Sequence, residues 1–180
     1  MENVLLDGFD NETPGNVRSI IARIADCGAL TKPSDREITS ITYRSPEVYF
    51  RKPWTTSADI WSWGIMYCHL LEAQVDLSKP GMYDSICKGT LEDKAQAVRE
   101  AISFDFDLHS ILLYATNEQG QIGLRPKNDS GVTNEQWAER LFRKSVPVDD
   151  IAFLCEVLNP DPEARWTAPE IIATGYLEIE

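Results

Sequence analysis

The sequence predicts a mainly helical domain with a small β-hairpin near its start, and three observations carry that expectation. Ser57–Glu72, read SADIWSWGIMYCHLLE, sets apolar side chains on nearly every side of a helix with roughly 3.6 residues per turn, which marks an element packed on several faces. Leu91–Ile102 and Val148–Leu158 repeat apolar residues at spacings of three and four, the period of an amphipathic helix. Val4–Leu6 and Val17–Ala25 (VRSIIARIA) are short and rich in aliphatic residues. The turn pairs Asp7-Gly8 and Pro14-Gly15 lie between them, so the two stretches read as the strands of a hairpin.

The remaining elements follow in order. Asp26-Cys27-Gly28 comes directly after the second strand, and Thr31–Thr39 is a loop marked by Pro33, Ser34 and Asp35. In Ser45-Pro46-Glu47 the proline suits the first turn of a short helix, where its missing N–H costs nothing, and the glutamate suits the positive end of the helix dipole. Thr56 or Ser57 supplies the N-cap hydroxyl of the central helix, with Asp59 in its first turn. The apolar run there is too short, and too interrupted by Ser62, Gly64 and His69, to cross a bilayer, which takes ~20 residues.

Pro80-Gly81 breaks the chain before the helix Leu91–Ile102, whose apolar face is Leu91, Ala95, Val98 and Ile102. Phe104–Asn117 has no clear period and is assigned to no element. Glu118–Asn134 is a polar loop. Its Asn128-Asp129-Ser130 matches a glycosylation sequon, but the acidic opening MENVLLDGFD lacks the regions of a signal peptide, so the match reads as loop chemistry. Helices are expected over Asn134–Phe142 and Val148–Leu158, the second stopped by Asn159-Pro160-Asp161-Pro162. Thr167 with Glu170 forms a capping-box pattern that opens a last helix to Ala173.

Composition narrows the class. A chain of 180 residues with 43% hydrophobic and 26% charged residues suits one globular domain. A net charge of −12 repels phosphate backbones and anionic membranes, which disfavours nucleic-acid and membrane-surface binding. Cys27, Cys68, Cys87 and Cys155 are scattered, with no CxxC pair and no zinc spacing, which fits a reducing compartment and predicts a cytoplasmic or nuclear location. His69 and His109 stand alone in sequence and read as packing or surface residues.

In this order the pieces resemble the larger, C-terminal lobe of a eukaryotic protein kinase, over essentially all of residues 1–180 and least securely from Leu77 to Pro147. Glu2-Asn3-Val4-Leu5-Leu6 is similar to the end of the catalytic loop, and Asp26-Cys27-Gly28 to the Asp-Phe-Gly motif. Ser45-Pro46-Glu47 is similar to Ala-Pro-Glu, within a run Tyr43–Val48 like that of the cyclin-dependent group. Asp59-Ile60-Trp61-Ser62-Trp63-Gly64 resembles the start of the buried central helix, and Asn159 to Ala168 (NPDPEARWTA) the closing segment. The resemblance implies ATP-dependent phosphoryl transfer to protein serine or threonine, with magnesium held by Asn3 and Asp26. It also implies a buried pair of Glu47 with Arg165, a structural Asp59 bonded to the catalytic-loop backbone, and substrate docking by the region Ile41–Pro46.

Two departures accompany the resemblance. Cys27 stands where the family usually has Phe, and reads as a buried spacer rather than a redox site. Thr31, Ser34, Thr39 and Ser40 lie between Asp26 and Glu47, where a phosphate could pair with Arg36 or Arg44; ordinary loop hydroxyls are the plainer reading. The family's Gly-rich loop, strand Lys with its partner Glu, adenine hinge and His-Arg-Asp segment would all fall before Met1, so no catalytic residue is assigned. The expectation is a protein kinase domain without its small lobe, inactive as residues 1–180 alone. The alternatives are a lobe-only pseudokinase that scaffolds partner proteins, and a decayed product with no activity.

Overall fold

The computed structural model describes residues 4–8, 21–25, 31–116, 122–124 and 136–177. The chain forms two compact units, Met1–Lys32 and Pro33–Glu180. In the first, β1 (Val4–Asp7) and β2 (Ile21–Ile24) pair antiparallel, with Val4 opposite Ile24 and Asp7 opposite Ile21. Gly8 follows β1 at φ 78°, a left-handed conformation glycine adopts without steric cost. Arg23 reaches Asp7 at 3.1 Å, but both side chains are exposed, so the ion pair adds little. Leu5, Leu6 and Ile21 are more than half exposed.

The second unit is helical. Its described elements are α1 (Pro46–Tyr49), α2 (Ser57–Val75), α3 (Leu91–Asp105), α4 (Leu112–Ala115), α5 (Trp137–Arg143), α6 (Val148–Val157) and α7 (Ala168–Ala173). Single 3-10 turns lie at Ile41–Tyr43 and Leu108–Ser110. The core gathers on α2. Trp61, Ile65, Cys68 and Leu71 point into a cluster with Tyr49 and Phe50 of the α1 segment, Val98 and Ile102 of α3, and Leu154 and Leu158 at the end of α6. A second, aromatic group packs on the other flank: Phe153 of α6 lies against Trp63, Tyr67, Trp166 and Tyr176.

Gly64 sets how closely α2 and α6 approach. A Cβ there would sit 2.7 Å from both the Leu158 and Val157 side chains. Packing this tight between helices leaves no room for even one methyl group.

The structure corrects several expectations. The central helix is not buried all round: Leu70 is 42% exposed, Val75 is 46% exposed, and Asp59 is also on the surface. Its start is capped differently from the sequence reading. Thr56 is already helical and makes no side-chain cap; the Ser57 amide donates instead to Thr55 Oγ1 at 3.3 Å. α3 runs three residues past Ile102, and Leu91, placed on its apolar face, is 78% exposed at the first turn. α3 also has a capping box in which Thr90 and Asp93 bond reciprocally. The unassigned stretch after Phe104 holds the 3-10 turn and α4. Thr167 and Glu170 bond reciprocally at the start of α7. No helix among the described residues is long and apolar enough to cross a membrane.

Gly64→Ala gains helix propensity of roughly 1 kcal/mol, yet forces an extra methyl into a filled contact, a cost of ~1–3 kcal/mol. The expected net result is a lower urea midpoint with an unchanged slope; a midpoint equal to or above that of the parent would show that α6 yields freely.

Candidate functional site

The segment Ile41–Phe50 is held against the start of α2 by charge chemistry reaching across the chain. Ser45 is extended (ψ 159°), which lets Pro46 enter α1 at its first position and sets Glu47 in the first turn. Glu47 is wholly buried, and Arg165, from the loop between α6 and α7, meets it there with its side chain equally buried. The guanidinium donates from Nη1 to Glu47 Oε1 at 2.8 Å and from Nη2 to Oε2 at 3.0 Å. Nη1 also donates to the Ser57 carbonyl at 2.7 Å, and Nε to the Asn159 carbonyl at 2.8 Å. The guanidinium carbon lies 5.1 Å from the centre of the Trp61 ring.

A planar fork is needed for this geometry, because one group must satisfy a carboxylate and two carbonyls from different elements at once. Arg165 thereby ties α1, the first turn of α2 and the start of its own loop to one point. Tyr114 closes the same region: its hydroxyl donates to the Pro160 carbonyl at 2.7 Å, and burial, with the Glu47 charge nearby, raises its pKa well above the ordinary phenol range.

Upstream of α1 a second arginine orders the chain. Arg44 donates from Nε to the Ile38 carbonyl and from Nη2 to the Thr39 carbonyl, both at 3.2 Å, and from Nη1 to Glu37 at 3.0 Å. Thr39 sits at φ 61°, a left-handed conformation that a β-branched residue rarely adopts. The two carbonyl contacts hold that turn in place. Trp54 pins the same stretch from the other side, with Nε1 donating to the Arg36 carbonyl at 2.8 Å. Ser62 of α2 lies 2.9 Å from the Tyr43 carbonyl and Tyr49 donates its hydroxyl to the Ile41 carbonyl, so residues 41–43 are fixed from below. Residues 34–54 therefore form a segment whose backbone is bonded at several points to its own side chains and, at Tyr43, to Ser62 of α2.

The sequence-derived site residues fall into two sets. Asn3, Asp26, Cys27 and Gly28 lie outside the described residues. Ser45, Pro46, Glu47, Asp59, Trp61, Gly64 and Arg165 are described; Glu47, Arg165 and Trp61 meet in the clasp, and Gly64 lies in the packing of α2 on the end of α6. Ser45 Oγ and Trp61 Nε1 are buried and have no hydrogen-bond partner among the described residues. Asp59 is exposed, and its carboxylate makes no hydrogen bond to a described residue. Among the described residues no three His, Cys, Asp or Glu side chains gather closely enough to hold a metal ion. Of the loop hydroxyls, Ser34 Oγ accepts from the Arg36 amide at 3.2 Å, a local turn contact.

Several buried polar residues escaped the sequence reading. Lys52 is 2% exposed and donates to the Thr116 carbonyl. Glu72 and Asp105 are buried, paired with Lys144 and Arg140. A signal for the two acids exists: Glu72 continues the stripe of Ile65 and Cys68, and Asp105 that of Val98 and Ile102, so each is a carboxylate on a core-facing helix stripe.

A family model for the protein kinase domain matches residues 1–177. The serine/threonine-protein kinase KIN28 of Saccharomyces cerevisiae is similar, with 26% identity over 167 residues, covering 87% of this chain and 48% of KIN28. The chain thus spans about half the length of that curated relative.

Arg165→Met leaves Glu47 buried and unpaired, a loss expected at ~3–5 kcal/mol. Adding Glu47→Leu removes the stranded charge, so the double variant is expected to lose less than the sum of the singles, by at least ~2 kcal/mol. Urea unfolding of all four proteins checks this; strictly additive losses would deny the coupling. Arg44→Ala is expected to open residues 37–40 to limited proteolysis and, because a largely buried guanidinium with three hydrogen bonds is lost, to lower the unfolding free energy by ~1–3 kcal/mol; no change in either would deny that Arg44 holds the turn.

Proposed function

We propose, on the premise that this chain belongs to the protein kinase family, that it is the C-terminal lobe of an ATP-dependent protein serine/threonine kinase. The observation that supports this best is the clasp of Glu47 and Arg165 beneath a bonded surface segment, in a chain similar to a protein named as a serine/threonine kinase. Phosphoryl transfer depends mostly on positioning and on neutralising charge. A segment fixed from below by Ser62, Tyr49 and Arg165 provides the positioning: residues 41–46 would receive the protein substrate and hold its acceptor hydroxyl against thermal drift.

Asn3 and Asp26 are the proposed magnesium ligands. An amide oxygen and a carboxylate are the hard oxygen donors magnesium takes, and it completes its shell from substrate phosphates and water. Magnesium-ATP, when bound, supplies the transferred phosphoryl group. The 180 residues contain no His-Arg-Asp segment and no Gly-rich phosphate loop, so the base and most of the nucleotide cradle have to come from elsewhere. Residues 1–180 by themselves are accordingly inactive. The scattered thiols support a cytoplasmic or nuclear location, and the kinase reading supports protein partners.

A second reading is a scaffold. Leu5, Leu6 and Ile21 are exposed apolar side chains spread over the two faces of the hairpin, which a partner protein would cover. The transcript upstream of the Met1 codon separates the two readings: an open frame encoding His-Arg-Asp supports the enzyme, and a nearby in-frame stop supports the scaffold. Purified residues 1–180 are expected to bind no magnesium-ATP and to transfer no phosphate to a protein. Turnover that disappears in Asp26→Ala would overturn the assignment of inactivity.

A further inference from the structure

The last turn of α2, the loop 79–86, the end of α3 and α5 enclose a cavity of about 530 Å3, remote in sequence from the clasp. Sites for small organic ligands occupy roughly 300–1,000 Å3. Its apolar lining includes Met82, Ile86, Phe104 and Trp137. Trp137 is buried and stacked on Phe106 with centroids 5.3 Å apart, which fixes its ring, while Phe104 is 43% exposed at the opening.

The charged groups of the wall are unequally committed. Glu72 and Asp105 are buried, and both oxygens of each are occupied. Glu72 accepts from Lys144 on Oε1 and from the Met82 amide on Oε2 at 2.9 Å. Asp105 accepts from Arg140 on both oxygens at 2.7 Å and from the Tyr83 hydroxyl at 2.9 Å. An incoming donor would have to break one of these bonds, at the cost of a partly unsatisfied buried carboxylate. The cations differ. Lys79 is 66% exposed, with its partner Asp76 at 3.7 Å and also largely in solvent. Lys144 is 42% exposed and directs one hydrogen bond to Glu72, out of the three an ammonium can donate. With Arg140 the three cations of the wall each face one carboxylate, Asp76, Asp105 and Glu72, so the charges balance and the difference lies in the donors that Lys79 and Lys144 retain.

Such a cavity repels donors and accepts acceptors. We propose that it binds a small aromatic carboxylate, with the aryl group against Phe104 and Trp137 and the carboxylate toward Lys79 and Lys144. A flat ring suits the aromatic lining, and an anion suits cations that retain donors in a partly desolvated setting. This site does not depend on the kinase reading.

Protein-observed NMR and calorimetry on the full 180-residue chain test it, with 2-naphthoate as probe and 2-naphthalenemethanol as its neutral counterpart. Naphthoate is expected to shift the Trp137 indole resonance and to bind at least about fivefold more tightly than the alcohol, the worth of roughly 1 kcal/mol for one charge pair near water. Lys79→Glu, at an exposed position that leaves the fold intact, is expected to weaken naphthoate by a similar factor or more and leave the alcohol unchanged. Ala101→Phe, which fills the cavity, is expected to abolish both. Equal affinity for the two probes, naphthoate binding undiminished in Lys79→Glu, or no Trp137 shift at millimolar naphthoate would each overturn the proposal.

Discussion

One bidentate ion pair, Glu47 with Arg165, fixes the geometry of the second unit. Its members are 118 positions apart in sequence and both are removed from water. Desolvating two charges costs several kcal/mol each, so the pair is tolerable only because its bonding is so complete. Both carboxylate oxygens accept, the guanidinium makes four hydrogen bonds, and Trp61 lies against the guanidinium. Replacing it with packed hydrocarbon could preserve stability. It could not reproduce a point at which α1, α2 and the loop after α6 are held in one register.

That constraint shapes the rest. With α1 held, residues 41–43 lie where Ser62 and Tyr49 reach their carbonyls, and Arg44 can fold back on the strained turn at Thr39. With the loop after α6 held, α6 lies close enough to α2 that Gly64 is the residue the contact admits. The second and third buried charge pairs, at Glu72 and Asp105, sit at the opposite end of α2 and α3. Their cations remain partly exposed, so they line a cavity instead of sealing a core.

How much of this the sequence discloses depends on the range of the interaction. Local signals are legible: the Thr167–Glu170 box, Pro46 at a helix start, and the helical character of α3 and α6, although on α6 the period read through Val148, Ala152 and Cys155, which are exposed, misses the buried Phe153 and Val157. Thr90–Asp93 is the same device with the shorter acid, and the pattern with Glu at the third position misses it. The apolar content of α2 indicates burial, but which side meets water is decided by the elements that pack on it, so Leu70 and Val75 are exposed despite their type. The stretch after Phe104 folds into a 3-10 turn and a single helical turn, both too short to establish a period. The Glu47–Arg165 pair could be anticipated only through the family resemblance, since neither residue differs locally from a solvated charge. Glu72 and Asp105 could have been found by asking why a carboxylate continues an apolar stripe.

The most direct test of the clasp is native-state hydrogen exchange at the amides of Tyr49, Phe50 and Lys52, which donate to the carbonyls of Ser45, Pro46 and Glu47. If the buried pair holds α1 to the core, these amides exchange only through global unfolding, and in Arg165→Met they exchange through a much cheaper local opening. Rapid exchange of the three amides in the unaltered protein, at the rate of the exposed loops, would contradict the account.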